Sequence, residues 1–341
     1  MAGTTCSMAT IGYHASHEQH SPSRLLADAQ HAVAAGFGAV SSSDHLSPWS
    51  ASQGESGFAW SWLGAAMATI DDVPFGVVNA PGQRYHPVVI AQAIATLGEM
   101  FPGRLTVAMG SGEASNEHVT GERWPAKTER NARLKACVDV IRGLLAGEEV
   151  STDGPVRVDR AKLWTFPPAD APGPRLVGAA LSEATARWCG GWADGMITVW
   201  QEPDKLRPVL DAFREGGGEG KPLIVQVKVA YAEDEGEALH GAWDQWRTNV
   251  FGSTLMADLE RVEQFEEAAK HVTPEDVRGS VLVSSDPGEL AAKIREVVDL
   301  GVDEVFLHHV PRPQRAFIDT FGEKVLPQFT DVATGRMGAS A

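Results

Sequence analysis

"AGFGAVSSSDHLSPW", Ala35 to Trp49, is the stretch on which the fold reading turns. It opens as a helix end with a glycine, and Ala39–Ser42 reads as a short buried strand. Apolar strands usually run into turn residues. This one runs into an acid, an imidazole and an indole: Asp44, His45 and Trp49. The rest of the chain must explain why.

The same unit recurs along the sequence. Short apolar runs near Thr10–Tyr13, Ala39–Ser42, Phe75–Val78, Leu105–Met109, Arg175–Val177, Met196–Thr198, Leu223–Val229 and Val305–His308 read as strands. Helical periods lie between them, near Ser23–Ala35, Trp60–Thr69, Pro87–Met100, Glu129–Leu145, Glu183–Gly190, Lys205–Phe213, Asp234–Asn249 and Pro287–Leu300, and Gln314–Phe321 follows the last strand. Runs such as "RLTVAMG" and "DEVFLHH" are apolar without alternation, as parallel strands covered on both faces are. The pattern predicts an α/β fold, a (β/α)8 TIM barrel. A doubly wound open sheet would want a GxGxxG turn after the first strand, and "GYHASHEQHSP" has none. The 341 residues leave room for insertions. Gly147 to Gly173 carries Asp153-Gly154 between alternating runs, a hairpin signal. Phe251 to Ser280 reads as a helical excursion. No linker interrupts residues 1–341, so one domain with insertions near 147–173 and 251–280 is expected.

A net charge of -16 argues against nucleic acid as a partner, since phosphate contacts need a basic face. The three cysteines, Cys6, Cys137 and Cys189, form no CxxC spacing, which suits a reducing cytoplasm. No signal peptide or membrane span is read, so no membrane partner is expected.

In a (β/α)8 barrel the active site lies beyond the C-terminal strand ends. The residues there are Tyr13 and His14; Asp44 and His45; Asn79; Gly110, Ser111, Gly112, Glu113 and Asn116; Gly178, Ala179 and Ala180; Thr198; and His308 and His309. Strand alternation points only one of the last two inward. His17 and His20 read as part of a solvated loop. Glu113 could equally be an acid at a helix N-terminus. "HASHEQH" lacks the His-Glu-x-x-His spacing of a helical zinc site, and no metal site is expected. "VGAALSEATARW" and "MGSGEAS" each offer a small-residue turn opening onto a helix, which suits a phosphorylated cofactor.

These segments resemble the luciferase-like flavin oxidoreductases, and within them the deazaflavin-dependent glucose-6-phosphate dehydrogenase group. The resemblance is carried by "SDHLSPW" (Ser43–Trp49), "QRYHPVVIAQAIATLGEMFPGR" (Gln83–Arg104), "GSGEASNE" (Gly110–Glu117), "SDPGEL" (Ser285–Leu290) and "VFLHHV" (Val305–Val310). The chain is similar as well to a subgroup of flavin oxidoreductases that do not use the deazaflavin. The resemblance implies a barrel, a ring lying at the strand ends and a homodimer. It implies that His45 is the acid–base group next to the substrate carbon, that Glu113 is a second such group, and that Trp49 packs beside the substrate. Asp44, Val78, Asn79, Gly110, Ser111, Asn116 and Thr198 then contact the cofactor, with a bulge at Val78–Asn79 behind the ring and Gly178 to Ala180 as phosphate loop. The basic residues that hold a phosphosugar are not matched: Glu202 and Ser280 occupy two of their places, with Arg278 near enough to compensate.

The expected activity is hydride transfer between FMN or coenzyme F420, with FMN preferred, and a small-molecule substrate. Such chemistry needs a ring held face-on to a carbon and a group that moves a proton. That gives Asp44, His45 and Trp49 their reason to end a strand. Uncharged alcohols, aldehydes or enones are expected to serve better than glucose 6-phosphate. An FMN-dependent monooxygenase on the same pocket, a metal-dependent barrel hydrolase and a non-catalytic flavin-binding protein are the alternatives.

Overall fold

In the computed structural model, residues 9–329 are described. Cys6 and the start of the segment read for a signal peptide lie outside the described residues. Eight parallel strands form the barrel: β1 (Thr10–Ala15), β2 (Val40–Ser42), β3 (Phe75–Asn79), β4 (Leu105–Met109), β5 (Arg175–Ala179), β6 (Met196–Val199), β7 (Leu223–Tyr231) and β8 (Glu304–His309). Each pairs with the next in sequence, and β8 pairs with β1 through Glu304↔Thr10 to Leu307↔Tyr13, which closes the sheet. Helices fill every gap between the strands, and Gln314–Lys324 follows the last. Pro22, Pro87, Pro203 and Pro287 stand at the start of four of them, where a missing N–H costs nothing.

Alternation sorts each strand into two faces. On β7, Val225, Val227 and Val229 pack outward into the large core shared with the helices. Ile224 points inward, where it meets Ala39, Ala108, Val177 and Phe306. This inner cluster fills the lower barrel. A Cβ on Gly12 would stand 2.5 Å from the Phe306 ring, so glycine there is what lets Phe306 fill the lumen. Above it the lumen turns polar: His14 follows Gly12, His308 follows Phe306, and Lys228 pairs in register with His308.

Residues 150–161 fold as an antiparallel pair, Val150–Asp153 with Arg157–Ala161. The 251–280 segment holds the helices Ser253–Asp258 and Val262–Ala268 and a 3-10 turn at Pro274–Gly279. It leads into a strand that the sequence pattern did not reveal, Leu282–Ser284, which pairs with the end of β7 from Val229 to Tyr231. Among the described residues, no helix is long and apolar enough to cross a membrane.

Candidate active site

The loop after β2 carries His45 over the barrel mouth. Ser56 Oγ donates to the His45 carbonyl at 2.6 Å. Asn116, from the loop after β4, accepts from Leu46 N at 2.8 Å and ties the two loops together. The result is a line of three titratable groups. His45 Nδ1 lies 2.9 Å from Glu18 Oε1, and His45 Nε2 lies 3.9 Å from Glu113 Oε2. The ring of Trp49 stands edge-on to His45, with centroids 4.3 Å apart. Trp246 continues the wall, 5.8 Å from Trp49.

Glu18 was not among the residues singled out from the sequence. Its side chain is 1% exposed. Its Oε2 accepts from Ser16 Oγ at 2.7 Å and Ser43 Oγ at 2.8 Å. Burial favours its neutral form, but His45 and these hydrogen bonds outweigh burial and hold it below the ordinary carboxylate range. Burial would likewise depress His45, yet the charge of Glu18, then that of Glu113, carries it above the ordinary imidazole value. Glu113 moves up, because burial and the charge of Glu18 outweigh the pull of His45 and of its hydrogen bond with Trp49. Both acids thus favour the protonated imidazole, and Glu113 keeps its own proton to higher pH than an ordinary carboxyl does. Glu113 caps no backbone N–H of the short helix it precedes.

The other expected residues fall into two groups. Asp44 is braced from all sides. Its carboxylate accepts from Asn79 Nδ2 at 2.9 Å, Tyr85 Oη at 2.9 Å and Arg84 Nη2 at 3.3 Å, leaving the side chain 0% exposed. This fixes Asn79, whose Oδ1 is buried without a partner. Ser111 Oγ accepts from Lys127 Nζ at 2.7 Å. At Gly110 an added Cβ would make ordinary contact, 3.7 Å from the Asn79 carbonyl oxygen and 3.9 Å from Ala179 Cβ. Thr198 is buried with its Oγ1 unpartnered, one residue out of phase with Ile197, which packs against the inner cluster.

Several expectations are corrected. β3 keeps an unbroken register with β4 through Val78↔Ala108 and Asn79↔Met109, so no bulge forms there. His17 and His20 are buried rather than solvated, because the segment after β1 turns into the mouth and packs His17 edge-on against Trp62. Tyr13 points away from the rim and donates to Gln314 Oε1 at 3.0 Å. Gly178 also packs closely on the following helix: a Cβ there would stand 2.6 Å from Cys189 Sγ. Arg278 is engaged by Glu235 at 2.7 Å and Glu275 at 2.9 Å, and Glu202 is exposed at the start of its helix. As alternation requires, His308 faces the lumen, 4.9 Å from the His14 ring, while His309 stacks on Phe317 outside it.

Residues 1–304 match the family described as luciferase-like monooxygenase. The chain belongs to that family. It is 36% identical over 331 residues to an F420-dependent glucose-6-phosphate dehydrogenase of Beutenbergia cavernae, covering 94% of this chain and 97% of the relative. A second enzyme of that name, from Nakamurella multipartita, is 37% identical over 328 residues, covering 93% and 96%. The structure of an F420-dependent secondary alcohol dehydrogenase in complex with an F420–acetone adduct superposes with a TM-score of 0.87 at 28% identity, covering 95% of this chain and all of that one. As in its family, the protein is an oxidoreductase on a (β/α)8 barrel.

Proposed function

We propose that the protein is an F420-dependent dehydrogenase or reductase acting on a small alcohol or carbonyl compound. The observation that carries this is the Glu18–His45–Glu113 line, with its 2.9 and 3.9 Å separations. The names of the relatives favour F420 over the FMN that the sequence reading preferred. The residues present fit such a ring: the unpartnered Asn79 Oδ1 is an acceptor for a ring N–H. Asn79, Ser111, Asn116 and the Gly178–Ala180 turn would hold the cofactor.

When bound, the deazaflavin accepts or returns a hydride. The chain's part is to handle the proton. Glu18 keeps a proton on Nδ1 and leaves Nε2 facing the pocket. As an alcohol C–H is lost and the C=O forms, Nε2 takes the hydroxyl proton, and in the reverse direction it returns it. Lifting the imidazole's basicity strengthens it as that base. Trp49 and Trp246 wall the pocket with indole and keep water from it. With Arg278 paired and Ser280 uncharged, neither position offers a free cation to a phosphosugar.

Separate fluorescence titrations with F420 and FMN, followed by turnover of His45→Asn, test the reading. F420 binds, and the variant binds it equally while turnover falls about 100- to 10,000-fold. Glucose 6-phosphate reacts with kcat/KM below about 10,000 per molar per second. Binding of FMN alone would favour a monooxygenase. Near-normal turnover in His45→Asn would remove the assigned role.

A further inference from the structure

Lys228 is 9% exposed and makes no hydrogen bond or ion pair among the described residues. Its Nζ lies 5.7 Å from the centre of the Trp246 ring. A lysine buried to this degree is seldom left without a counter-charge. Alternation on β7 places it on the lumen face, above Ile224, and its register partner is His308. The His308 ring contacts Trp246 at 5.1 Å and His14 at 4.9 Å. Burial holds both imidazoles below their ordinary value, so they bring neither a compensating nor a competing charge. Glu18 influences both histidines, but no acid acts on Lys228, which burial alone brings to about 7. The wall of Trp246 and Trp49 runs from this amine to His45.

We propose that Lys228 seats a substrate carboxylate. The substrate is then a small hydroxy or oxo acid, its anionic end on the Lys228 ammonium and its reacting carbon at His45. This rests on the oxidoreductase reading of the same pocket. One lysine between neutral histidines matches one negative charge, whereas a phosphate dianion would call for a second cation. It also revises the expectation of an uncharged substrate, which would leave the amine without a counter-charge.

Propionate and propionamide have the same shape and differ in charge. Each is titrated into the purified full-length protein without cofactor at about pH 6, with tryptophan fluorescence as the readout. Propionate binds at least about tenfold more tightly, the least expected of a charge-assisted pair. Lys228→Met abolishes that preference and leaves propionamide affinity unchanged. In the unaltered protein the preference fades as pH rises past about 7, where Lys228 loses its proton. His14 and His308, which face it from β1 and β8, stay neutral throughout that range. Equal affinities, no binding of either probe, or a preference that survives in Lys228→Met overturns the proposal. Should Lys228→Met fail to fold, a preference unchanged between about pH 6 and pH 9 overturns it. F420 affinity is measured separately on the same samples. Its absence alongside an intact carboxylate preference would sink the F420-dependent reading alone.

Discussion

Glu18 governs the charge state of the pocket although it never reaches solvent. Glu18→Gln keeps the size and the contact with the two serine hydroxyls but removes the charge that holds His45 up. Burial then dominates, and the imidazole loses its proton at lower pH. Oxidation of an alcohol needs neutral Nε2, so the rising limb of its pH profile moves to lower pH in Glu18→Gln. Turnover falls by about 10- to 10,000-fold, the span from lost positioning to lost proton transfer. A merely structural role would lower activity without moving the limb, and an unmoved limb would refute the assignment. His45 and Glu113 were legible because each directly follows an apolar strand. Glu18 was not, because "HASHEQH" is polar throughout and polarity reads as exposure. Within the tract Gln19 is held by tertiary contacts that no sequence pattern shows: Arg312 Nη2 donates to the Gln19 carbonyl at 2.9 Å, and the Gln19 amide donates to Gln245 Oε1 at 3.1 Å.

At the scale of elements, alternation of strand and helix was readable because each period ran long enough to register. Leu282–Ser284 escaped, since it follows the helical excursion rather than a helix of the repeating unit, and its pairing with β7 is a tertiary fact. Gly178 is ambiguous for a related reason. A glycine in a strand can signal an approaching ligand or an approaching backbone, and sequence does not tell them apart. On β5 the helix Glu183–Gly190 comes close enough that an added Cβ would lie 2.8 Å from Cys189 Cβ. Gly178→Ala must therefore push strand and helix apart. We expect a loss of about 1–3 kcal/mol in urea unfolding, the usual cost of overpacking. An unchanged midpoint would show that the interface yields freely and that the glycine is there for another reason.

The whole molecule stacks a polar layer of the barrel on an apolar one and buries further histidines around it, and this arrangement sets how stability depends on pH. Burial holds His14, His17, His20, His308 and His309 below the ordinary imidazole value, with His14 and His309 near 3 and His20 near 4. In the unfolded chain each takes up a proton below about 6.5, while in the fold it does so only at lower pH. The unfolded state therefore binds more protons across that window, and stability falls as pH falls. Glu18, depressed in the fold, acts in the same direction further down, losing its contribution as pH drops below its unfolded value near 4.5. His45 opposes them: raised in the fold, it contributes below about 6.5 and loses that contribution as pH climbs through its folded value. Glu113 and Glu117, also raised, oppose them as well, gaining stability as pH falls. The five rings outweigh these three. Each contributes a slope of up to about 1.4 kcal/mol per pH unit, so urea unfolding between about pH 6.5 and pH 4 should show a loss of several kcal/mol. His14→Gln should make that slope shallower. A flat profile over this range would mean that the rings accept protons within the fold, and the neutral histidine layer on which the Lys228 site depends would be lost with it.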